Sequence, residues 1–193
     1  MELSKDDSLA EIFLTANRAI FVNDIDKKEA EVFTALILNY IAEAPDQPIT
    51  LMIDSFGGDV DSLMLIQDML SIAHTNNCPV RTVCLARAWS AGAIILSSGT
   101  KGHRWALANS SIMIHGAQCV FPIMGEDDLA NSEKYFDFIN SCNEQVMSLI
   151  STSTGKDIET IRKDCEEDLY MSAEEALAYG LIDGIATDID QII

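Results

Sequence analysis

The apolar residues of this chain fall into short solid blocks that alternate with longer stretches of helical spacing. Ala19–Val22 is such a block and predicts a short buried strand, after which Asp24 or Asp26 caps a helix running to about Ala44. In that helix Ala30, Phe33, Leu36, Ile37, Tyr40 and Ile41 share one stripe, the spacing of a core-facing side. The stretch from Pro45 to Pro48 ends it. Ile49–Ile53 is the next strand and runs into Asp54-Ser55-Phe56-Gly57-Gly58. A second helix, from about Asp59 to His74, turns Val60, Leu63, Ile66, Met69, Leu70 and Ala73 inward. Val80–Leu85 is a third strand, and the small residues crowding Ala86–Ser98 predict a helix pressed closely on its neighbours. Two short strands, near Trp105–Leu107 and Ser111–Ile114, lead to His115. A long acidic helix follows, roughly Glu126–Ser151, ending at Thr154-Gly155. The chain closes with a helix at Ser172–Tyr179, stopped by Gly180, and an apolar strand at Leu181–Ala186. Strands alternating with helices in this order indicate an α/β domain around a mostly parallel sheet.

Composition narrows the class. A chain of 193 residues, 48% of them hydrophobic, fits one domain with a full core and is not disordered. Apolar runs such as Ile12–Leu14 and Ala93–Leu96 are far too short to cross a bilayer. The acidic start, Met1 to Asp7, does not read as a signal peptide, so a cytoplasmic protein is expected. Five cysteines at irregular gaps, with no C-x-x-C pair, argue against a disulfide framework and a zinc knuckle. Cys84, inside an apolar run, reads as a small core residue. With 31 acids against 12 bases, the net charge of −19 repels phosphate backbones and anionic lipid, so neither nucleic acid nor membrane is expected as a partner. Glu126-Asp127-Asp128 lacks the spacing of a calcium loop, and no metal or cofactor is expected.

The search for chemistry starts from three histidines. His74 lies at a helix end and His103 in the loop Lys101-Gly102-His103-Arg104, and both read as solvated. His115 instead terminates the apolar run Ile112–Ile114, a strand tip where catalytic residues are commonly presented and where a structural histidine also fits. Ser90 opens the small-residue run Ser90-Ala91-Gly92-Ala93. A serine at a helix start sits among free N–H groups that favour negative charge, or it serves as a plain cap. The surroundings are not Gly-x-Ser-x-Gly, so the α/β-hydrolase elbow does not apply. Gly57-Gly58 lets the backbone approach a ligand closely, or forms an ordinary turn. Together the three elements compose an acyl-transfer site.

The segment Cys84–Ala93, with Gly99–Arg104 downstream, resembles the nucleophile region of the Clp protease proteolytic subunit. Ile112–His115 is similar to that family's histidine motif, and Ile53–Gly58 to its Ser-Pro-Gly-Gly turn. Met171–Ala176 and Tyr179–Asp183 resemble its closing signature, so the likeness runs from about Ile20 to Ile185. The resemblance implies a ClpP/crotonase-like repeated ββα superhelix at 19–193, after a short N-terminal segment at 1–18, with the helix at 126–151 as the ring contact. It implies a Ser90-His115-Asp168 triad, with Asp164 the rival acid, and an oxyanion site at the N–H groups of Gly58 and Ala91. Asp168 is preferred because its distance to the Ser-Ala helix matches without a gap. The family also implies a homo-oligomer of heptameric rings stacked as a tetradecamer, an AAA+ unfoldase partner, and peptide or unfolded-protein substrates.

The sequence departs from the family's pattern in several places. Phe56 stands for a proline, Trp89 for a small residue, and Gly116-Ala117-Gln118 lacks the usual Gln-Pro. Cys119–Gly125 does not reproduce the glycine-rich substrate segment, and Thr50 and Met52 stand where aromatics receive the unfoldase. Three other readings compete. One is a catalytically silent ring subunit, and another an acyl-CoA hydratase or isomerase working through carboxylates. The third is a membrane-anchored peptidase with a Ser90–Lys101 dyad.

Overall fold

Each block expected as a strand overlaps one in the computed structural model, which describes residues 9–117 and 129–193. The element order is α1 (Leu9–Ala16), β1 (Ala19–Ile25), α2 (Lys27–Glu43), β2 (Ile49–Gly58), α3 (Val60–Thr75), β3 (Val80–Trp89) and α4 (Ala91–Ser97). There follow β4 (Arg104–Ala106), β5 (Ser111–Ile114), α5 (Leu129–Thr154), α6 (Ile158–Asp164), β6 (Leu169–Ser172), α7 (Ala173–Tyr179) and β7 (Gly184–Ile185). Among the described residues these strands form one sheet in the order β1-β2-β3-β4-β7, with β5 also pairing β3, and β6 pairing β5. All pairs are parallel except β5 with β6. The chain is a mixed α/β domain of the expected class, with a parallel-rich sheet.

The fork at β3 positions everything that follows. Its first half, Thr82–Cys84, pairs with β4, and its last residues, Arg87–Trp89, pair with β5. The sheet thus splits just before Ser90, which opens room at the strand's end. Helical periodicity told the truth about α2, where Ala30, Phe33, Ile37 and Tyr40 are buried. Its cap is Asp26, which accepts the Glu29 N–H at 2.9 Å, and Asp24 takes no part in it. The helix expected over Ala86–Ser98 is shorter, because Ala86–Trp89 extend β3 and α4 begins only at Ala91. Ala88 is fully buried opposite Ser55 on β2 and Ile112 on β5, so its small size serves the sheet. The final strand shrinks to Gly184–Ile185, and α1, α6 and β6 appear where no element was expected. The expected start of the acidic helix at Glu126 lies outside the described residues.

Asp59 begins α3 directly after Gly58, its carboxylate accepting the Ser62 N–H at 2.8 Å and the Ser62 hydroxyl at 2.9 Å. Alanine at Asp59 is expected to cost about 1 kcal/mol, read as a lower denaturant midpoint at unchanged m-value.

A second tie lies across the sheet. Arg104, 1% exposed, donates from Nε and Nη2 to the Asp183 carboxylate at 2.8 and 2.6 Å. Its Nη1 donates to the carbonyls of Ser97 and Ser153, at the ends of α4 and α5. Asp183 also accepts the N–H groups of Gly102 and Arg104. Burial alone would raise the Asp183 carboxyl, but the guanidinium and these N–H groups outweigh it and hold it at about 2.

Candidate active site

Ser90 occupies the bend between β3 and α4 with φ 54° and ψ −123°, a backbone region that side chains other than glycine rarely enter. Such a conformation costs on the order of 1–3 kcal/mol and persists only where neighbours impose it. Here the Ser90 N–H donates to the Met113 carbonyl at 2.8 Å, while the Ser90 carbonyl accepts from Ala93 at 3.0 Å and Ile94 at 3.3 Å. Its hydroxyl caps nothing in α4, so the plain capping role does not account for it.

The glycine pair lies against this bend. Gly57 has φ +105°, and a Cβ there would stand 2.8 Å from Ser90 Cβ and 3.2 Å from Ser90 Oγ. A Cβ on Gly58 would stand 1.9 Å from the Ile25 carbonyl oxygen, so only glycine lets β1 and β2 close at this point. The Gly57 N–H donates to Ser55 Oγ at 3.0 Å. Ala91 is the first residue of α4, where an N–H has no acceptor within its own helix.

His115 follows β5, and Asp168 precedes β6. The antiparallel register Ile114↔Leu169 makes them the next cross-strand neighbours. Asp168 Oδ1 lies 3.8 Å from His115 Nδ1, which is buried and has no hydrogen-bond partner among the described residues. Asp168 Oδ2 accepts the Tyr170 hydroxyl at 3.3 Å. Asp164 instead accepts the Tyr179 hydroxyl at 2.7 Å, and burial together with this carboxylate pushes the Tyr179 phenol up.

Gly58, Ser90, Ala91 and His115 line one cleft of about 280 Å³, walled by Val60, Leu63, Ile94 and Val146. Asp168 is outside the cleft and meets it through His115. His74 and His103 are exposed and take no part. Lys101 pairs with Asp183 at 3.7 Å and does not line the cleft, which leaves the serine–lysine reading without support. Among the described residues no cluster of metal-ligating side chains occurs, and no helix is long and apolar enough to cross a membrane.

Sequence reasoning missed several supporting groups. Ser55 is buried, receives the Gly57 N–H, and is the residue a Cβ on Gly92 would meet at 3.1 Å. After His115, the Gly116 N–H donates to the Cys165 carbonyl at 3.0 Å, and the Ala117 N–H to Asn143 Oδ1 at 3.0 Å. The two bulky departures meet each other: Phe56 and Trp89 are edge-to-face at 5.4 Å, and Trp89 and Tyr170 at 5.3 Å. Thr50 and Met52 are both buried. The unusual segment Cys119–Gly125 and the acidic run Glu126–Asp128 lie outside the described residues.

The family model for Clp protease matches residues 4–188, nearly the whole chain. Its span takes in the serine bend, the glycine turn, the histidine strand and the closing helix together, and the chain belongs to the Clp protease family.

Proposed function

We propose that the protein is a serine endopeptidase that hydrolyses peptides and unfolded chains, with Ser90 as nucleophile, His115 as base and Asp168 as the acid behind it. The observation that carries this reading is one cleft holding a serine in a strained bend, a histidine, and two backbone N–H sites at Gly58 and Ala91. His115 takes the Ser90 proton as Oγ attacks a peptide carbonyl, then returns it to the leaving amine. Asp168 keeps the Nδ1 proton facing it and offsets the imidazolium charge. The N–H groups of Gly58 and Ala91 receive the oxyanion, each worth about 3 kcal/mol in the transition state. Among the described residues no charged side chain lines the cleft, and an apolar substrate side chain suits that lining.

Family membership supports ring assembly, with heptamers stacked as a tetradecamer and fed by an AAA+ unfoldase. The exposed rings of Phe136 and Phe138 on α5 suit a helix that contacts another subunit.

A second reading, a ring subunit without activity, is favoured by the 3.8 Å gap between His115 and Asp168, longer than a hydrogen bond. Incubation with a fluorophosphonate probe and a fluorogenic peptide bearing an apolar acyl-side residue separates the two. Stoichiometric labelling and turnover, both lost in Ser90→Ala, are expected. A wild type that assembles into rings yet neither labels nor cleaves would establish the silent subunit instead.

A further inference from the structure

Three aromatic rings stand in a row, and each is attached to a different part of the site. Phe56 immediately precedes Gly57-Gly58, Trp89 immediately precedes Ser90, and Tyr170 lies two residues beyond Asp168 on β6. Phe56 meets Trp89 edge-to-face at 5.4 Å, and Trp89 meets Tyr170 in the same manner at 5.3 Å. The row is pinned at several points. The Arg87 guanidinium lies 4.1 Å over the Phe56 ring and donates from Nε to Asp54 at 2.7 Å. Trp89 Nε1 donates to Ser111 Oγ at 2.9 Å, on β5, the strand that His115 follows. At the far end the Tyr170 hydroxyl donates to Asp168 Oδ2 at 3.3 Å.

We propose that Tyr170, seated on Trp89, is a positioning residue that holds Asp168 with one oxygen toward His115. The carboxylate needs such a hold, because its side chain is 42% exposed and water competes for it. A carboxylate has two oxygens, and fixing Oδ2 on the phenol turns Oδ1 toward Nδ1. The buried Nδ1 has no other partner among the described residues, so the orientation of this one acid decides whether the imidazole keeps its working tautomer. The tyrosine is itself held by edge-to-face contact, which is geometrically specific where a merely greasy contact is not. The row therefore links the acid to the strands that carry the nucleophile and the glycine turn.

The inference rests on the Ser90-His115-Asp168 reading above, and the test separates the two. Tyr170→Phe removes the hydroxyl and leaves the ring on Trp89, so the fold is kept. It is expected to lower kcat and the fluorophosphonate labelling rate about tenfold, the scale of a small misplacement. KM should stay unchanged, since Tyr170 does not line the cleft. In an Asp168→Asn background the same substitution should change nothing further, the non-additivity of residues acting in series. An equal fall in both backgrounds, a rise in KM alone, or no fall overturns the positioning role while leaving the triad intact. A wild type that never labels removes the triad reading and this inference with it.

Discussion

Alanine at His115 is expected to slow peptide hydrolysis by about 10⁴- to 10⁶-fold, with little change in KM. A serine hydroxyl is a poor nucleophile at neutral pH, and among the described residues His115 is the titratable side chain that lines the cleft with it. Asp168→Asn should cost about 10⁴-fold, because an amide can hold the imidazole in the wrong tautomer. The double variant Ser90→Ala/His115→Ala should be no slower than either single change, since each alone already disables the proton transfer. What survives should be on the order of 10³-fold over water, from the N–H groups of Gly58 and Ala91 and from binding. Single-turnover rates on a fluorogenic peptide read all of these. A His115→Ala protein within tenfold of wild type would remove the base from the mechanism.

The second large effect concerns stability. Asp183→Ala is expected to cost about 3–5 kcal/mol, because it leaves the Arg104 guanidinium buried without its counter-charge. For a chain of this size that lowers the melting temperature by about 10 °C or more. The effect on pH follows from the depressed carboxyl. Asp183 ionises at about 2 in the fold against an ordinary 3.8, so it contributes about 2 kcal/mol wherever the pH lies above both. That contribution is lost as the pH falls from about 4 to about 2, because the unfolded chain then takes up the proton first. Urea titrations at pH 6 and pH 2.5 should show this loss in the wild type. Asp183→Asn should start less stable and lose less between the two. Equal losses in both proteins would place the acid sensitivity elsewhere.

How much of this could be read beforehand depended on the physical signal at each place. Helix α2 was legible because its buried face repeats with the helix period, and β2 because five consecutive apolar or β-branched residues precede its polar end. The end of β3 was not. Ala86, Ala88 and Ala91 carry no periodic signal, and it is the neighbours Ser55 and Ile112 that make Ala88 a strand residue. Strand β6 is short and exists through its pairing with β5, about sixty residues earlier, a contact that local propensity does not encode. In the site, His115 stood out because it ends an apolar run, and Ser90 because it opens a run of small residues. Asp168 came from family resemblance alone, since a charged run offers no pattern by which one acid stands out. Tyr170 did not stand out because its contact with Asp168 depends on β6, where residues two apart share a side. The bend at Ser90 requires a positive φ that nothing in its own side chain announces.

The row of rings has an optical consequence. The chain has two tryptophans, and Trp105 lies in β4 against Gly184. Trp89 is covalently joined to Ser90, and its indole is fixed between Phe56 and Tyr170 with its N–H on Ser111. Indole emission depends on the polarity and mobility of what surrounds it. The residue next to the proposed nucleophile is thus a built-in fluorophore, whose colour and brightness are expected to differ between a bare and an acylated Ser90.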